Sequence, residues 1–359
     1  GTEGTDYSTI SDITISAGST TGTASFTPTD DSVYEGNETG IVAISGVSGA
    51  DATESGTQSV TITITENESA PTVTLTSSAS SIAENAGSSL TLTATLSGVV
   101  DENVTVSIST SGTGTEGTDY STISDITISA GSTTGTASFT PTDDSVYEDD
   151  ETGIVAISGV SGGGATESGT QSVTLTITEN ESAPTVTLTS SASSIVENAG
   201  SSLTLTATLS VATTANVTVS ISTSGTGTEG TDYSTISDIT ISAGSTTGTA
   251  SFTPTDDSGD PVYEENETAI VAISGVTGLA TEDGTQTVTL TITENESAPT
   301  VTLTSSASSI AENAGSSLTL TATLSGKVDE AVTVSIDTSG TGTEGTDYST
   351  ISDITISAG

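Results

Sequence analysis

The chain has 359 residues and a formal net charge of −46, because 47 aspartate and glutamate residues face a single cationic residue, Lys327. Nucleic-acid binding needs a cationic surface that displaces counterions from phosphate, so this charge excludes nucleic acid as a partner. Without histidine or cysteine the chain has no imidazole base, thiolate nucleophile, disulfide or zinc site of the usual ligand types. The groups that remain for chemistry are carboxylates, hydroxyls and carbonyl oxygens.

Composition alone leaves the folded state undecided. The hydrophobic content is 31%, which is low for a globular chain, so the order of the residues has to decide whether the chain folds. No apolar run approaches the roughly 18 residues that a membrane helix needs, and we expect no direct membrane insertion. Acidic repeats that are rich in Ser, Thr and Gly and lack cysteine are typical of bacterial surface proteins, which favours an extracellular or cell-surface location.

One sequence unit recurs along the chain. The word Gly-Thr-Asp-Tyr places its aspartate at Asp6, Asp119, Asp232 and Asp347, so successive copies are 113, 113 and 115 residues apart. The word Thr-Glu-Asn-Glu-Ser-Ala-Pro keeps the same register, and its proline-ended linker predicts the domain boundaries. We expect a partial repeat at 1–68 (the first segment), complete repeats at 69–181 and 182–296 (the second and third repeats), and a partial repeat at 297–359 (the fourth segment). Residues 1–18 and 342–359 are identical, which we interpret as a window on a longer array.

The apolar residues of the second repeat alternate with Thr and Ser at a period of two, as in half-buried strands. Gly, Asp and Asn separate the alternating stretches, and no helical periodicity is present. Seven strands are predicted, around residues 73–75, 90–96, 104–108, 126–128, 137–139, 155–157 and 173–177. Seven strands in about 110 residues predict an all-β fold, a linear array of tandem antiparallel β-sandwiches of immunoglobulin-like size.

The carboxylates of the second repeat lie mostly in the loops between these strands. This repeat has fifteen acidic residues and no basic one. Alternate loops of a sandwich emerge at the same end, so Glu84, the run at 143–151 and the chain exit at 179–181 can converge there. Two carboxylates about 4 Å apart repel by roughly 4 kcal/mol at an effective dielectric constant near 20. The alternatives are protonation of some acids, a solvated acidic loop, or a hard cation held by oxygen ligands, for which Ca²⁺ suits flexible geometry better than Mg²⁺.

Three words of the second repeat together resemble the Calx-β domain. They are Ile-Ala-Glu-Asn-Ala-Gly at 82–87, Gly-Thr-Asp-Tyr at 117–120 and Asp-Asp-Ser-Val-Tyr-Glu at 143–148. The family includes calcium-sensing domains of sodium/calcium exchangers and long tandem arrays in bacterial surface proteins. The resemblance implies a Ca²⁺ cluster at the end of each sandwich from which the chain leaves for the next one. The exit segment Glu-Asn-Glu departs from the consecutive aspartates usual in the family, which leaves the number of ions open.

The resemblance also implies a ligand set for each repeat. In the second repeat the matching positions are Glu84, Asp119, Asp143, Asp144, Glu148, Glu179 and Glu181. In the third repeat they are Glu197, Asp232, Asp256, Asp257, Glu264, Glu294 and Glu296, with Asp260 as a replacement or supplement for Glu264. The first segment offers Asp6, Asp30, Asp31, Glu35, Glu66 and Glu68, and the fourth segment offers Glu312 and Asp347.

The sequence as a whole favours a structural spacer without catalysis: a repeat segment of an extracellular stalk, adhesin or fibre that calcium makes rigid. Neighbouring repeats of the same chain, or identical subunits in a fibre, are then its partners. The alternatives are a calcium-sensing regulatory domain, a glycosidase that uses paired carboxylates, and a Thr-array surface that binds ice or glycans. Candidate glycan acceptors in Asn-x-Ser/Thr words are Asn37, Asn67, Asn103, Asn180, Asn216, Asn266 and Asn295.

Overall fold

The computed structural model describes residues 1–256 and 262–359. Within these residues the chain is all-β, and no helix is present that could cross a membrane. The chain forms two compact units: Gly1–Asp144 with Glu148–Asn180, and Ser145–Tyr147 with Glu181–Gly359. The predicted all-β class is confirmed.

The described residues contain strands in all four sequence repeats. The first segment has β1 (Val33–Tyr34), β2 (Glu38–Ala43) and β3 (Ser59–Ile64). The second repeat has β4 (Thr72–Ser77), β5 (Ser81–Ala83), β6 (Leu90–Leu96), β7 (Val99–Val100), β8 (Val104–Gly112), β9 (Ile126–Ile128), β10 (Thr134–Phe139), β11 (Val146–Tyr147), β12 (Glu151–Ser161), β13 (Thr166–Glu167) and β14 (Ser172–Thr178). The third repeat has β15 (Thr185–Ser190), β16 (Ser194–Val196), β17 (Leu203–Leu209), β18 (Ala212–Thr213), β19 (Val217–Gly225), β20 (Ile239–Ile241), β21 (Thr247–Phe252), β22 (Val262–Tyr263), β23 (Glu267–Thr277), β24 (Thr281–Glu282) and β25 (Thr287–Thr293). The fourth segment has β26 (Val301–Ser305), β27 (Leu320–Leu324), β28 (Lys327–Val328), β29 (Val332–Val334) and β30 (Ile354–Ile356).

The second repeat folds into two facing sheets. One sheet has the strand order β10-β6-β4-β13 and the other has the order β5-β14-β12-β8-β9. The period-two pattern drives this arrangement: Leu90, Leu92 and Leu96 of β6 are buried, whereas the intervening threonines are partly or fully exposed. All seven strands predicted from the sequence are present, and the sandwich prediction is confirmed.

Short parallel strands lie at two outer edges of this sandwich. The strand β13 pairs in parallel with β4, and β5 pairs in parallel with β14. Neither strand contains two apolar residues separated by one polar residue, which is why the period-two pattern did not predict them. They complete the strand order of each sheet and bring the residue after β5 to the end of the sandwich.

A stacked aromatic pair fills one end of the core. The rings of Tyr120 and Phe139 have centroids 4.7 Å apart and planes 28° apart, and the two residues are 1% and 0% exposed. Gly153 of β12 lies against them, because a Cβ there would stand 2.7 Å from Phe139 Cε2. The glycine therefore makes room for the stack. Tyr120 is therefore a packing residue of the sandwich core.

The third repeat reproduces this architecture in the second compact unit. Its sheets have the orders β21-β17-β15-β24 and β16-β25-β23-β19-β20. Its core is a separate cluster of buried residues, in which Tyr233 and Phe252 have centroids 4.9 Å apart. The recurrence shows that the repeat pattern determines the fold.

The two partial repeats form less complete sheets. The first segment contains the antiparallel pair β2–β3, and the fourth segment contains the pairs β26–β27 and β29–β30. Ile13 is 57% exposed, whereas Ile126, at the same position of the second repeat, is fully buried. Ile126 pairs with Val106 of β8, and no strand of the described first segment takes the place of β8.

Three two-residue strands pair with the repeat that follows. Each is the Val-Tyr of an acidic loop and runs parallel to its partner. The pairs are β1 with β7, β11 with β18, and β22 with β28. The first pair lies in the first compact unit and the other two lie in the second.

Candidate metal centre

The word Gly-Thr-Asp-Tyr folds into a tight loop that fixes Asp119 beside the end of the sandwich. Gly117 has φ +87°, a conformation that favours glycine, and its N–H donates to the carbonyl of Tyr120 at 2.7 Å. The N–H of Asp119 donates to the carbonyl of Thr115 at 2.9 Å, while the Asp119 carboxylate accepts a hydrogen bond from the N–H of Thr115. With Tyr120 anchored in the core, the loop holds the Asp119 side chain in one place.

Two further carboxylates come from strand ends at the same edge. Glu84 directly follows β5, is 9% exposed, and donates its N–H to the carbonyl of Thr178 at 3.0 Å. Glu179 follows β14 and accepts a hydrogen bond from the N–H of Glu148. The parallel pairing of β5 with β14 therefore brings Glu84 and Glu179 to the same end of the sheet.

The acidic loop before β12 supplies the rest of the group. One carboxylate oxygen from each of Asp119, Glu148 and Glu151 lies within 4.8 Å of the other two. Glu151 is the first residue of β12, opposite Ile177 of β14. Six of the eight residues that line a depression at this end of the repeat are carboxylates: Glu84, Asp119, Glu148, Asp149, Glu151 and Glu179, with Thr142 and Ile177.

The third repeat builds the same depression from equivalent residues. Its lining is Glu197, Asp232, Thr255, Glu264, Glu265, Glu267, Ile292 and Glu294. Two close carboxylate groups occur there, with oxygens within 4.8 Å: Asp232 with Glu264 and Glu267, and Glu197 with Glu294 and Glu296. Carboxylate clustering is thus a recurring property of the repeat and is not confined to one loop.

The first segment carries a third copy. Asp6, Glu35 and Glu38 bring carboxylate oxygens within 4.8 Å of one another. Glu66 accepts hydrogen bonds from the N–H groups of Glu35 at 2.6 Å and Gly36 at 2.8 Å. Hydrogen bonds from the N–H groups of Glu68 and Glu35, with further support from Gly36, lower the pKa of Glu66 to about 2.

Crowding and burial work against ionisation elsewhere in these sites. Burial first, and then the carboxylates of Asp119 and Glu148, raise the pKa of Glu151 to about 7. Burial, Asp232 and Glu264 do the same for Glu267, whose pKa is also raised to about 7. Burial raises the pKa of Glu84 as well. A bound cation reverses this effect, because it favours the charged form of each carboxylate.

The structure brings together many, but not all, of the residues predicted as ligands. Those in close carboxylate groups of a single unit are Asp6, Glu35, Asp119, Glu148, Glu197, Asp232, Glu264, Glu294 and Glu296. Glu84 and Glu179 line the depression, and Glu181 belongs to the second compact unit. Among the described residues, the following stay outside the close groups: Asp30, Asp31, Glu66, Glu68, Asp143, Asp144, Asp256, Glu312 and Asp347. Asp257 and Asp260 lie outside the described residues.

Several of the acids outside the close groups make hydrogen bonds at or near the site. The N–H of Asp144 donates to Glu84 Oε1 at 3.0 Å, although the Asp144 side chain is exposed. Asp31 Oδ1 accepts the N–H of Val33 at 2.7 Å, and Asp30 Oδ1 accepts from Asn67 Nδ2 at 3.1 Å. These hydrogen bonds connect the acidic loops to neighbouring residues, and the role of the three aspartates as ligands stays a prediction.

Sequence reasoning missed three members of the close groups. Glu38, Glu151 and Glu267 each begin the long strand that follows the acidic loop. A signal was present, since all three loops share the word Val-Tyr-Glu-x-x-Glu. In the second repeat the last four residues of this word are all acidic, at 148–151. Such a run is also typical of a solvated loop, so Glu151 was not recognised as a candidate ligand.

The donor set fits a hard cation. Every side-chain donor that the close groups contribute is a carboxylate oxygen, and the acids come from several loops, which suits the six to eight oxygens and flexible geometry of Ca²⁺. Burial first, and then the charge of neighbouring carboxylates, raise the pKa of Glu151 and Glu267, and a divalent ion would offset the second of these causes.

A family model described as the Calx-beta domain matches the chain four times in tandem, at residues 1–68, 66–181, 179–296 and 293–354. The chain belongs to the Calx-beta family. The Calx-beta matches cover nearly the whole sequence, so the resemblance seen in the second repeat extends to every repeat. Among curated protein sequences none matches the chain.

Several solved structures are similar to this Calx-beta chain at low scores. The calcium binding domain CBD12 of CALX1.1 is 15% identical, covers 59% of this chain and 96% of its own, and has a TM-score of 0.27. Invasin, a bacterial integrin-binding protein, is 17% identical, with coverage of 75% and 52% and a TM-score of 0.32. The Yersinia pseudotuberculosis adhesin InvE is 15% identical, with coverage of 61% and 58% and a TM-score of 0.29. At these scores the structures add nothing to the family assignment.

Proposed function

We propose that this chain is a non-catalytic structural segment of an extracellular stalk, adhesin or fibre, and that Ca²⁺ bound at the ends of its sandwiches makes it rigid. The observation that carries the proposal is the recurrence of the carboxylate depression at the same place in the second and third repeats, with a third group in the first segment. The Calx-beta assignment supports calcium as the cation. Neighbouring repeats, or identical subunits in a fibre, are the proposed partners.

Electrostatic repulsion explains why the ion would matter for stability. Six carboxylates line each depression, and the chain has one basic residue in all. Free calcium at about one hundred times its dissociation constant would stabilise the folded state by about 2.7 kcal/mol per site. Surroundings with plentiful calcium, such as the cell exterior, would therefore favour the ordered array.

Calorimetric melting in calcium and in a chelator tests the metal. We expect calcium to raise the unfolding temperature well above its value in the chelator. Magnesium and sodium at matched ionic strength are the controls, because salt alone screens the repulsion within a chain of charge −46. An equal rise in sodium at matched ionic strength would reduce the effect to screening and would remove the metal site from the proposal. An equal rise in magnesium would remove calcium as the specific ion.

Small-angle X-ray scattering on the same samples tests the rigidity. Calcium should narrow the range of conformations that fits the scattering curve of the full chain. If calcium binds and raises the melting temperature while the scattering stays the same, the ion stabilises individual sandwiches only, and the rigid-array part of the proposal fails.

A further inference from the structure

The acidic loop of the first segment holds a short strand between its carboxylates. Val33 and Tyr34 form β1, and the N–H of Val33 donates to Asp31 Oδ1 at 2.7 Å. On the other side of β1, the N–H of Glu35 donates to Glu66 Oε2 at 2.6 Å. The Val-Tyr strand therefore lies between the hydrogen bonds to Asp31 and Glu66, and it directly precedes Glu35, which belongs to the close carboxylate group of Asp6, Glu35 and Glu38.

The Val-Tyr strand docks on the second repeat. Tyr34 pairs with Val100, which is fully buried, and its ring packs against the core of that repeat. The ring lies over Gly164, which has φ +61°, and a Cβ at Gly164 would stand 2.5 Å from Tyr34 Cε1. The absence of a side chain at Gly164 therefore leaves room for the Tyr34 ring, which packs directly against the glycine backbone.

The docking recurs in the second compact unit. Val262 and Tyr263 pair with Lys327 and Val328 of the fourth segment, and the N–H of Asp329 approaches the carbonyl of Tyr263 at 3.4 Å. Tyr147 repeats this contact with the N–H of Thr214, also at 3.4 Å. The Val-Tyr strand is thus a general element of the repeat.

The turn that receives the Val-Tyr strand varies in charge. In the second repeat it continues into Asp101 and Glu102, and in the third repeat the same positions hold Thr214 and Ala215. In the fourth segment they hold Asp329 and Glu330, and Lys327 lies in the receiving strand. Glu35 directly follows Tyr34, and Asp101 directly follows its partner Val100, so the parallel pairing brings these two acids to the same end of the joint. Glu264 and Asp329 follow the pair of Tyr263 and Val328 in the same way.

We propose that the Val-Tyr strand couples the metal centre of one repeat to the joint with the next, and that the charge of the receiving turn sets how strongly each joint depends on calcium. Without the ion, Asp101 and the carboxylates of the first segment repel one another and oppose docking. With the ion, the loop is neutralised and Tyr34 seats over Gly164. A neutral turn, as at Thr214, removes this dependence. The inference rests on the proposed calcium site.

The absence of cysteine allows a direct test on the full chain. Thr63→Cys and Thr91→Cys place one spin label on an exposed position of β3 and one on β6. Pulsed electron paramagnetic resonance then measures the distance distribution between the labels across the first joint. In the labelled parent we expect a narrow distribution in calcium and a broad one in chelator.

Two substitutions separate docking from metal binding. Tyr34→Ala should leave the distribution broad in calcium while calcium titration still shows binding, weakened only by the lost coupling to docking. Tyr34→Phe should restore the narrow distribution. Asp101→Thr, which copies the third repeat, should give a narrow distribution even in chelator. Asp51→Asn is the control for overall charge, because it removes one carboxylate of the first segment at the position that Gly164 occupies in the second repeat. Asparagine tolerates the φ of +53° at this position.

The outcomes distinguish this inference from the function on which it rests. If Tyr34→Ala keeps a narrow distribution in calcium, or if Asp101→Thr still needs calcium, the coupling is wrong even though calcium binds. If the parent shows no calcium binding at all, the proposed metal centre itself fails. If Asp51→Asn narrows the distance distribution in chelator as much as Asp101→Thr does, overall charge explains the effect and the receiving turn has no specific role.

Discussion

The second and third repeats build one carboxylate depression with different loops. Glu84, Asp119, Glu151 and Glu179 of the second repeat have their equivalents at Glu197, Asp232, Glu267 and Glu294. Asp150 accepts the N–H of Glu179 at 3.0 Å, whereas Asn266 accepts the N–H of Glu294 at the same distance. Burial and crowding raise the pKa of both Glu151 and Glu267 to about 7. The acids at strand ends and in the Gly-Thr-Asp-Tyr loop are thus common to both depressions and raise the same pKa values. The residues of the acidic loop differ between the two repeats.

The largest expected difference in stability between the second and third repeats comes from a substitution in one of their cores. Phe139→Ala removes half of the aromatic stack and should destabilise the second repeat by about 3–5 kcal/mol. Because the two repeats have separate cores, we expect one calorimetric transition to move and the other to stay. Phe252→Ala is the matched variant and should move the other transition. Equal shifts of both transitions in either variant would show a single cooperative unit.

Loss of calcium stabilisation should follow next in size. Asp119→Asn combined with Glu151→Gln removes two carboxylates of the close group in the second repeat. At saturating calcium it should abolish about 2.7 kcal/mol of stabilisation there and leave the third repeat unaffected. Asp232→Asn with Glu267→Gln should do the reverse. Calcium titration followed by melting measures both quantities, and an unchanged calcium response would remove these residues from the site.

The pH dependence sharpens the comparison further. The folded chain holds the Glu151 proton up to about pH 7, while the unfolded chain releases it near the ordinary pKa of 4.5. The metal-free second repeat should therefore lose stability as the pH rises between these values, by about 1 kcal/mol once solvent screening is allowed for. The third repeat should behave alike through Glu267.

Melting in chelator from about pH 5 to pH 8 checks this trend. Calcium competes with the proton, so its stabilising effect should grow over the same interval. Glu151→Gln should flatten the profile of the second repeat alone. A profile that rises with pH, or one that Glu151→Gln leaves unchanged, would contradict the assignment.

The smallest expected effect concerns the variable loop. Asp150→Asn gives the second repeat the residue of the third and keeps an acceptor for the N–H of Glu179. We expect a change of about 0.5 kcal/mol or less in unfolding free energy and a slightly weaker calcium affinity, because one charge is lost. Asn266→Asp is the reverse variant. A large loss of calcium binding in Asp150→Asn would make the loop a determinant of the site.

Much of the fold follows from the sequence. The alternation of Leu90, Leu92 and Leu96 with threonine predicts β6 correctly, as similar patterns do for the other long strands. The strands β5, β7, β11 and β13 escape this reasoning, because none of them contains two apolar residues separated by one polar residue, and their partners are distant in sequence. Tertiary pairing alone defines them.

The site was predicted in part. Glu84, Asp119 and Glu148 were found because they stand in recurring words, and the structure places them around one depression. Glu151 was missed because its position depends on the register of β12 against β14, which the sequence does not show. Asp143 was also predicted as a ligand, but it is exposed and lies outside the close groups. Its placement depends on the conformation of the acidic loop, which the sequence does not show.

The short parallel strands at the sheet edges have a consequence for how such an array reaches its native state. Neighbours of closely similar sequence invite strand exchange, because a strand of one repeat suits the place of its copy in the next. In the second repeat β5 and β13 occupy two outer edges with three and two residues, which offer an incoming strand little to pair with. We therefore expect these two edges to contribute little to strand exchange between neighbouring repeats during biosynthesis.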